Sequence, residues 1–340
     1  MKLNAKNEKK LVTDILIKLG TQENQADIVA QATVDADLKG FTSHGIGRFS
    51  QYIKGFKAKT INLEGDIDIE RETEAMALIN GNSLFGQYVA RRAMDLAIEK
   101  AKNVGIGIVG THNGNHFGVT GYYSDLASQK GCIGVVIANT EPAIAPFGGK
   151  KPLIGTNPIA IGIPNEDTYI ALDMATSVAA RGKLLESRRK GESIPEGTAL
   201  DKDGKPTTDP AKGIEGSILP FGGFKGYGLA FLIEILTGSL VNAGIGTGVK
   251  GTATCSEDCT KGDLFLAIDP EKFVGKEQFN DETDKFLDEI RADNGVIPGS
   301  LEVERVKGNL ANGWELDPVL FDTLNDICKN IDIDIEDYAA

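Results

Sequence analysis

The chain has 340 residues, 41% of them hydrophobic and 25% charged, enough to bury a core and to form two domains. A formal charge of −13 argues against nucleic acid or an anionic membrane as partner, and obliges an anionic ligand to find locally clustered Arg or Lys. No apolar run is long enough to span a membrane, and the N-terminal MKLNAKNEKK lacks a signal-peptide core, so a cytoplasmic location is expected.

Residues 5–20 carry apolar positions at Leu11, Ile15, Leu16 and Leu19, with Gly20 suited to end a helix. A second helix is expected from Thr21, a candidate N-cap, through Val29 and Val34 to Gly40. In FTSHGIGRFSQYIKGF, Thr42 or Ser43 can cap a third helix beginning at His44. From Ile67 the pattern changes. IDIE and AMALING read as strands, followed by an amphipathic helix over 84–104, a strand over 106–111, a helix over 122–129 and a strand over 132–139. Strands are expected again at 159–163 and 169–172, then a helix over 177–189. Lys190–Ile214 is polar and carries the turn chemistry of DKDG and PTTDP. Beyond it lie an apolar helix, a strand over 263–268, and helices over 281–292 and 318–329. Alternating strands and helices imply a mixed α/β domain over 76–295, with a smaller helical domain built from both chain ends, 1–75 and 296–340.

LPFGGFKGYGLAFLIEILTGSL, Leu219–Leu240, is the most distinctive stretch. Gly222, Gly223, Gly226 and Gly228 crowd its start around Lys225, and the residues that follow are apolar nearly all round, as in a buried helix. Glycines admit a ligand close to backbone, and a helix N-terminus adds unpaired N–H groups to the lysine charge. The reading is an anion site for a cofactor phosphate or a carboxylate; the alternative is a tight turn feeding a core helix.

Two G-x-G-x-x-G matches, Gly105–Gly110 and Gly246–Gly251, lack the strand-then-helix context of a dinucleotide fingerprint, so a classical Rossmann site is not expected. Cys132, Cys255, Cys259 and Cys328 are too few and scattered for a disulfide framework, and Cys255-x3-Cys259 lacks two further metal ligands. The three histidines, His44, His112 and His116, all lie in glycine-containing loop contexts. At a helix start the dipole would keep His44 neutral, fit for proton transfer near pH 7, and Arg48 one turn on could hold a carboxylate. The alternative is a capping cluster with Arg48 in a surface ion pair. His112-Asn113-Gly114-Asn115-His116 has the i, i+4 spacing of a zinc pair, but its glycine argues for a loop, where a single catalytic or substrate-binding histidine is the better reading.

Five ordered segments, DADLKGFTSHGIGRFSQYI, NGNHFGVTGYYS, GTNPIAIGIP, LDMATSVAARGK and PFGGFKGYGLAFLIEILTG, together resemble the type 2 malate/L-lactate dehydrogenase family over essentially the whole chain. The likeness is greatest to its archaeal L-sulfolactate/malate dehydrogenase members. It implies a non-Rossmann α/β homodimer using NAD or NADP, with the active site near the subunit interface. It implies His116 as proton acceptor, His44 (in Ser43-His44-Gly45) as a proton donor in some members, and Arg48 as carboxylate ligand. Thr140, Asp173-Met174-Ala175-Thr176 and Lys225-Gly226 match dinucleotide-binding segments. Family members often read Pro-Gly-Glu near the C-terminus; here Pro298-Gly299-Ser300 keeps Gly299 but departs at the third position. The expected function is interconversion of an L-2-hydroxy acid, malate or sulfolactate, and its 2-oxo acid. The rival is a non-catalytic or hydrolytic α/β protein holding an anionic metabolite at Lys225.

Overall fold

The computed structural model describes residues 1–252 and 255–340. The chain runs β1 (Lys2–Leu3), α1 (Ala5–Lys18), α2 (Glu23–Leu38), α3 (Phe49–Ala58), β2 (Asp68–Glu72), β3 (Met76–Asn80), α4 (Gly86–Val104) and β4 (Ile106–His112). It continues α5 (Thr120–Gln129), β5 (Ile133–Ala138), β6 (Ile159–Ile163), β7 (Ile170–Met174), α6 (Arg181–Lys190), β8 (Ala199–Leu200), β9 (Pro206–Thr207), α7 (Pro210–Glu215), β10 (Ser217–Ile218) and α8 (Phe224–Thr237). The last elements are β11 (Gly262–Ile268), α9 (Lys276–Ala292), α10 (Ser300–Asn312), β12 (Trp314–Glu315) and α11 (Pro318–Lys329).

The seven-stranded sheet has the order β2-β3-β4-β11-β5-β6-β7, and only the β3/β4 pair is parallel. The fold is therefore mixed α/β and not doubly wound, as expected. Its decisive feature is β11, which inserts antiparallel between β4 and β5 although it arises some 120 residues later in the chain. Register pairs Gly262 with His112, Asp263 with Ala138, and Ile159 with both Ile137 and Met174. The ends of β4, β5 and β7 and the starts of β6 and β11 thus share one edge. The loops that carry His116, Thr140, Thr156 and Thr176 leave from it.

Helices cover both faces. A Cβ on Gly107 of β4 would lie 2.0 Å from Ala97 O of α4, while one on Gly110 would meet Val241, beyond α8, on the opposite face. A continuous core runs from Leu11 and Val29 through Tyr52, Val89 and Tyr123 to Phe265 and Leu324. The two chain ends meet where β1 pairs with β12.

Several expectations change. Thr21 does not cap α2: Gln22 occupies that position without a side-chain cap, and the Thr21 hydroxyl is buried. The polar 190–214 segment folds into the small β10-β8-β9 sheet with α7, over its own cluster of Leu184, Ile194, Ala199 and Ile218. Helix α10 is not among the expected elements, although Val303, Val306 and Leu310 recur at helical spacing; the structure leaves none of its residues buried. The helix of the central stretch is not buried all round. Phe231, Leu232, Ile235 and Leu236 of α8 are exposed, Leu232 by 58%, and only Gly226, Ala230, Ile233, Glu234 and Thr237 are buried.

Candidate active site

His44 does not begin a helix. Residues 42–45 form a turn, a short 3-10 segment spans Ile46–Arg48, and α3 follows. The buried Asp37 carboxylate holds this turn by accepting the Ile46 N–H at 2.7 Å. A Cβ on Gly45 would sit 2.0 Å from that carboxylate, so only glycine follows His44 here without displacing it. The Ser43 hydroxyl is 2.9 Å from His44 Nδ1 rather than capping a helix. Arg48 reaches the same place from the end of the 3-10 turn, not along a shared α-helical face.

His116 comes from the loop after β4. Asn115 pins that loop by donating its amide to the carbonyls of Thr60, Ser83 and Leu84. His112 turns away, its Nε2 lying 3.0 Å from Glu70, so the i, i+4 pair is split between two sites. His116 stacks on His44 with ring centroids 5.6 Å apart and planes inclined by 29°. Its Nδ1 lies 3.0 Å from the Tyr52 hydroxyl and 3.3 Å from the Gly118 amide nitrogen.

Arg48 donates Nη2 to Thr252 O at 2.9 Å, a carbonyl that also accepts from Gln51, while its buried Nε has no partner among the described residues. Burial first, then the Arg48 charge, pushes His44 down to about 4. Burial, followed by Arg48, His44 and Lys261, holds His116 well below the usual imidazole range. Both rings are neutral at pH 7. The cause is desolvation beside cations and not the helix dipole, since the turn supplies no helix end at His44. Lys261 is buried with Nζ 2.5 and 2.6 Å from the two Asp263 oxygens and 4.2 Å above the Phe117 ring. Sequence reasoning missed Lys261, Thr252 and Tyr52. Tyr52 four residues after Arg48 was the one available cue, and it reads equally well as core.

The segments matched to dinucleotide binding also meet at this sheet edge. Thr140 Oγ1 accepts the Thr156 N–H at 2.9 Å, and Thr156 O accepts both the N–H and hydroxyl of Thr176. Thr176 O accepts the Phe221 N–H at 3.1 Å. A Cβ on Gly226 would lie 2.3 Å from Phe221 O and 3.0 Å from Thr176 O, so the entry to α8 packs backbone on backbone. Lys225 stands exposed beside it, with no ion-pair partner among the described residues. Asp173 accepts the Gly121 N–H at 2.7 Å, and burial raises it to about 6. Met174 and Ala175 carry the chain from Asp173 to Thr176. Gly299 does not join them: at φ +98° it packs on Tyr169 and the Ala171 N–H at the start of β7, the opposite end of the strand from this edge. The two groups of residues touch: Glu141 N–H donates to Thr252 Oγ1 at 3.4 Å, joining the Thr140 loop to the residue whose carbonyl holds Arg48.

The family model described as malate/L-lactate dehydrogenase matches residues 3–325. The chain is 57% identical over 337 residues to the L-sulfolactate dehydrogenase of Methanothermobacter thermautotrophicus, covering 99% of each. It is 54% identical to the malate/(S)-sulfolactate dehydrogenase of Methanothermus fervidus, covering 98% of this chain and 99% of that one. The solved sulfolactate dehydrogenase of Methanocaldococcus jannaschii superposes with a TM-score of 0.95 at 54% identity, covering 99% of both chains. A non-catalytic or hydrolytic reading of the Lys225 entrance does not survive this agreement of family and fold. The chain belongs to the malate/L-lactate dehydrogenase family, and it is an oxidoreductase.

Proposed function

We propose that the protein interconverts an L-2-hydroxy acid, malate or sulfolactate, and its 2-oxo acid with NAD or NADP. The observation that carries this reading is the pairing of two neutral imidazoles, 5.6 Å apart, with a guanidinium whose buried Nε lacks a partner among the described residues. An unpartnered buried donor beside a proton-transfer pair suits a substrate carboxylate, which Arg48 would bind while His116 handles the proton on the C2 oxygen. His44, its Nδ1 held by Ser43, is the second proton-transfer candidate.

The residues fit a dinucleotide. Lys225 offers an uncommitted cation, Gly226 packs its backbone on Phe221 and Thr176 and so fixes the entrance to α8, and the Thr140–Thr156–Thr176 ladder holds the loops between them. Thr140, Asp173, Met174, Ala175, Thr176, Lys225 and Gly226 would hold the cofactor, whose nicotinamide supplies or takes the hydride at C2. We assign residues 1–75 with 296–340 to a helical domain and 76–295 to the cofactor domain, a division supported by the β1/β12 pairing of the chain ends, although β2 from the first segment forms the edge of the cofactor domain's sheet. The uncovered apolar face of α8, continued by Leu240 and Phe224, supports a homodimer that buries it. No helix among the described residues is long and apolar enough to cross a membrane, which supports the cytoplasmic assignment.

A spectrophotometric panel of 2-oxo acids, including oxaloacetate and sulfopyruvate, with NADH and NADPH in turn tests the reading. Oxidation of either cofactor by one of those two acids is expected; its absence with both overturns the substrate assignment.

A further inference from the structure

We propose that Tyr52 is a positioning residue that, together with the Gly118 N–H, holds His116 in the tautomer with its proton on Nε2. The inference rests on the reading of His116 as a proton-transfer group and adds the identity of the atom that carries the proton.

One donor at His116, the Gly118 N–H, has a polarity that cannot change. The backbone N–H of Gly118 points at His116 Nδ1 from 3.3 Å, so a hydrogen on Nδ1 would face another hydrogen. Nδ1 is thus the acceptor. The Tyr52 hydroxyl, 3.0 Å from the same nitrogen, must then spend its proton on Nδ1. That leaves the Tyr52 oxygen to accept, and Gln87 Nε2 approaches it at 2.7 Å. The chain reads Gln87 N–H to Tyr52 O–H to His116 Nδ1, each polarity forced by the next.

Burial makes the chain unidirectional. Tyr52 and Gln87 are 2% and 1% exposed, so water cannot substitute for either partner. Gln87 Oε1 is left buried without a partner among the described residues. The amide nevertheless turns its nitrogen inward, as the Gly118 constraint requires. Burial also raises the Tyr52 phenol far above its ordinary range, so it stays protonated and keeps a hydrogen to donate.

With Nδ1 occupied, the neutral ring carries its hydrogen on Nε2, which forms no hydrogen bond among the described residues. The resting enzyme therefore presents a donor, suited to the carbonyl oxygen of a 2-oxo acid. Taking a proton from a hydroxy acid at Nε2 needs the other tautomer, with Nδ1–H turned to Tyr52. The Gly118 N–H and the Gln87–Tyr52 chain both oppose that tautomer, so the resting site is set for reduction of the 2-oxo acid.

A long-range 1H–15N correlation spectrum of histidine-labelled protein reads the tautomer directly. The chain has three histidines, so His44→Asn and His112→Asn complete the assignment. At pH 7.5 without ligands, His116 should show a protonated Nε2 and an unprotonated Nδ1. A protonated Nδ1 in the wild-type protein overturns the proposal, and that measurement needs no variant at position 52. In Tyr52→Phe, the His116 signals should shift toward a mixture of tautomers. Its kcat should fall on the order of tenfold to a hundredfold, with NADH affinity preserved. An unchanged tautomer and unchanged kcat in the folded variant would also overturn it. Full turnover in His116→Asn would instead remove the catalytic reading of His116 and leave the tautomer result standing, so the two claims fail separately.

Discussion

The proposed proton-transfer cleft and the proposed cofactor entrance at α8 lie at one sheet edge but are built from different materials. At His44, His116 and Arg48 the chemistry belongs to side chains, each held by a named partner: Ser43, Tyr52 and Thr252. At the entrance to α8 the work falls to backbone groups, threonine hydroxyls and missing side chains, and its one cation, Lys225, is exposed. The contrast follows from the tasks. A proton needs one atom at one position with a tuned affinity, whereas a long dinucleotide needs shape, amides and modest charge spread over many contacts. Substitutions in the first region should therefore strike turnover, and those in the second should strike binding.

The largest effect is expected at His116. His116→Asn should lower kcat by about 10²–10⁴ and leave NADH affinity nearly intact. Stopped-flow turnover with a fluorescence titration of NADH separates the two. A comparable loss of NADH binding would break the division between regions.

Arg48→Lys comes next. Lysine keeps the charge but loses the planar fork, so KM for the 2-oxo acid should rise by about one to two decades while KM for NADH stays within a factor of about two. Equal KM values for both ligands in variant and wild type would make Arg48 a structural anchor of Thr252.

On the other side of the comparison, Lys225→Met should weaken cofactor binding by about a decade and flatten its salt dependence. The field of a −13 chain opposes an anionic cofactor, so a local cation should be felt. Calorimetric titration of NADH and NADPH at two salt concentrations reads this. A raised oxo-acid KM with NADH affinity unchanged would move Lys225 to the substrate.

The smallest effect concerns the support beneath His44. Burial raises Asp37 to about 7 from an ordinary 3.8, while Glu8 is also raised, first by burial and then by Asp37. As pH climbs from about 4 to 7 the unfolded chain sheds the Asp37 proton and the folded chain keeps it, so this group's contribution to stability declines and then levels off. Asp37→Asn retains an oxygen for the Ile46 N–H and removes the titration. The variant's Tm relative to wild type should thus rise by a few degrees between pH 5 and pH 8. Differential scanning calorimetry at the two values checks it; a constant difference would mean that Asp37 is ionised in the fold.

Local periodicity makes most of the scaffold legible from the residues alone. The spacing of Leu11, Ile15 and Leu16 marks α1, and the strand at 159–163 and the helix at 318–329 agree residue for residue with the observed elements. Failures have particular causes. Gly45 and the Asp37 carboxylate turn the chain at His44, where capping residues alone suggested a helix. Helix α10 carries Val303, Val306 and Leu310 at helical spacing, a short signal that the expected elements do not include. On α8 the apolar residues were read as core, yet hydrophobicity records only that a surface avoids water and not what covers it.

By itself the sequence determined the candidates: the histidine in a glycine-rich loop, the arginine near a second histidine, the glycines around Lys225, and the motif order that identifies the family. These are properties of short segments, where residue type and spacing act through local backbone preference. Tertiary structure alone decided that the segments meet, because β11 crosses back between β4 and β5 and brings their loops to one edge. It also brought Lys261, Thr252 and Tyr52 to the histidines, and turned His112 to Glu70 instead. Proton affinity and hydrogen-bond polarity depend on burial and on charges distant in the chain, and those exist only once the sheet has closed.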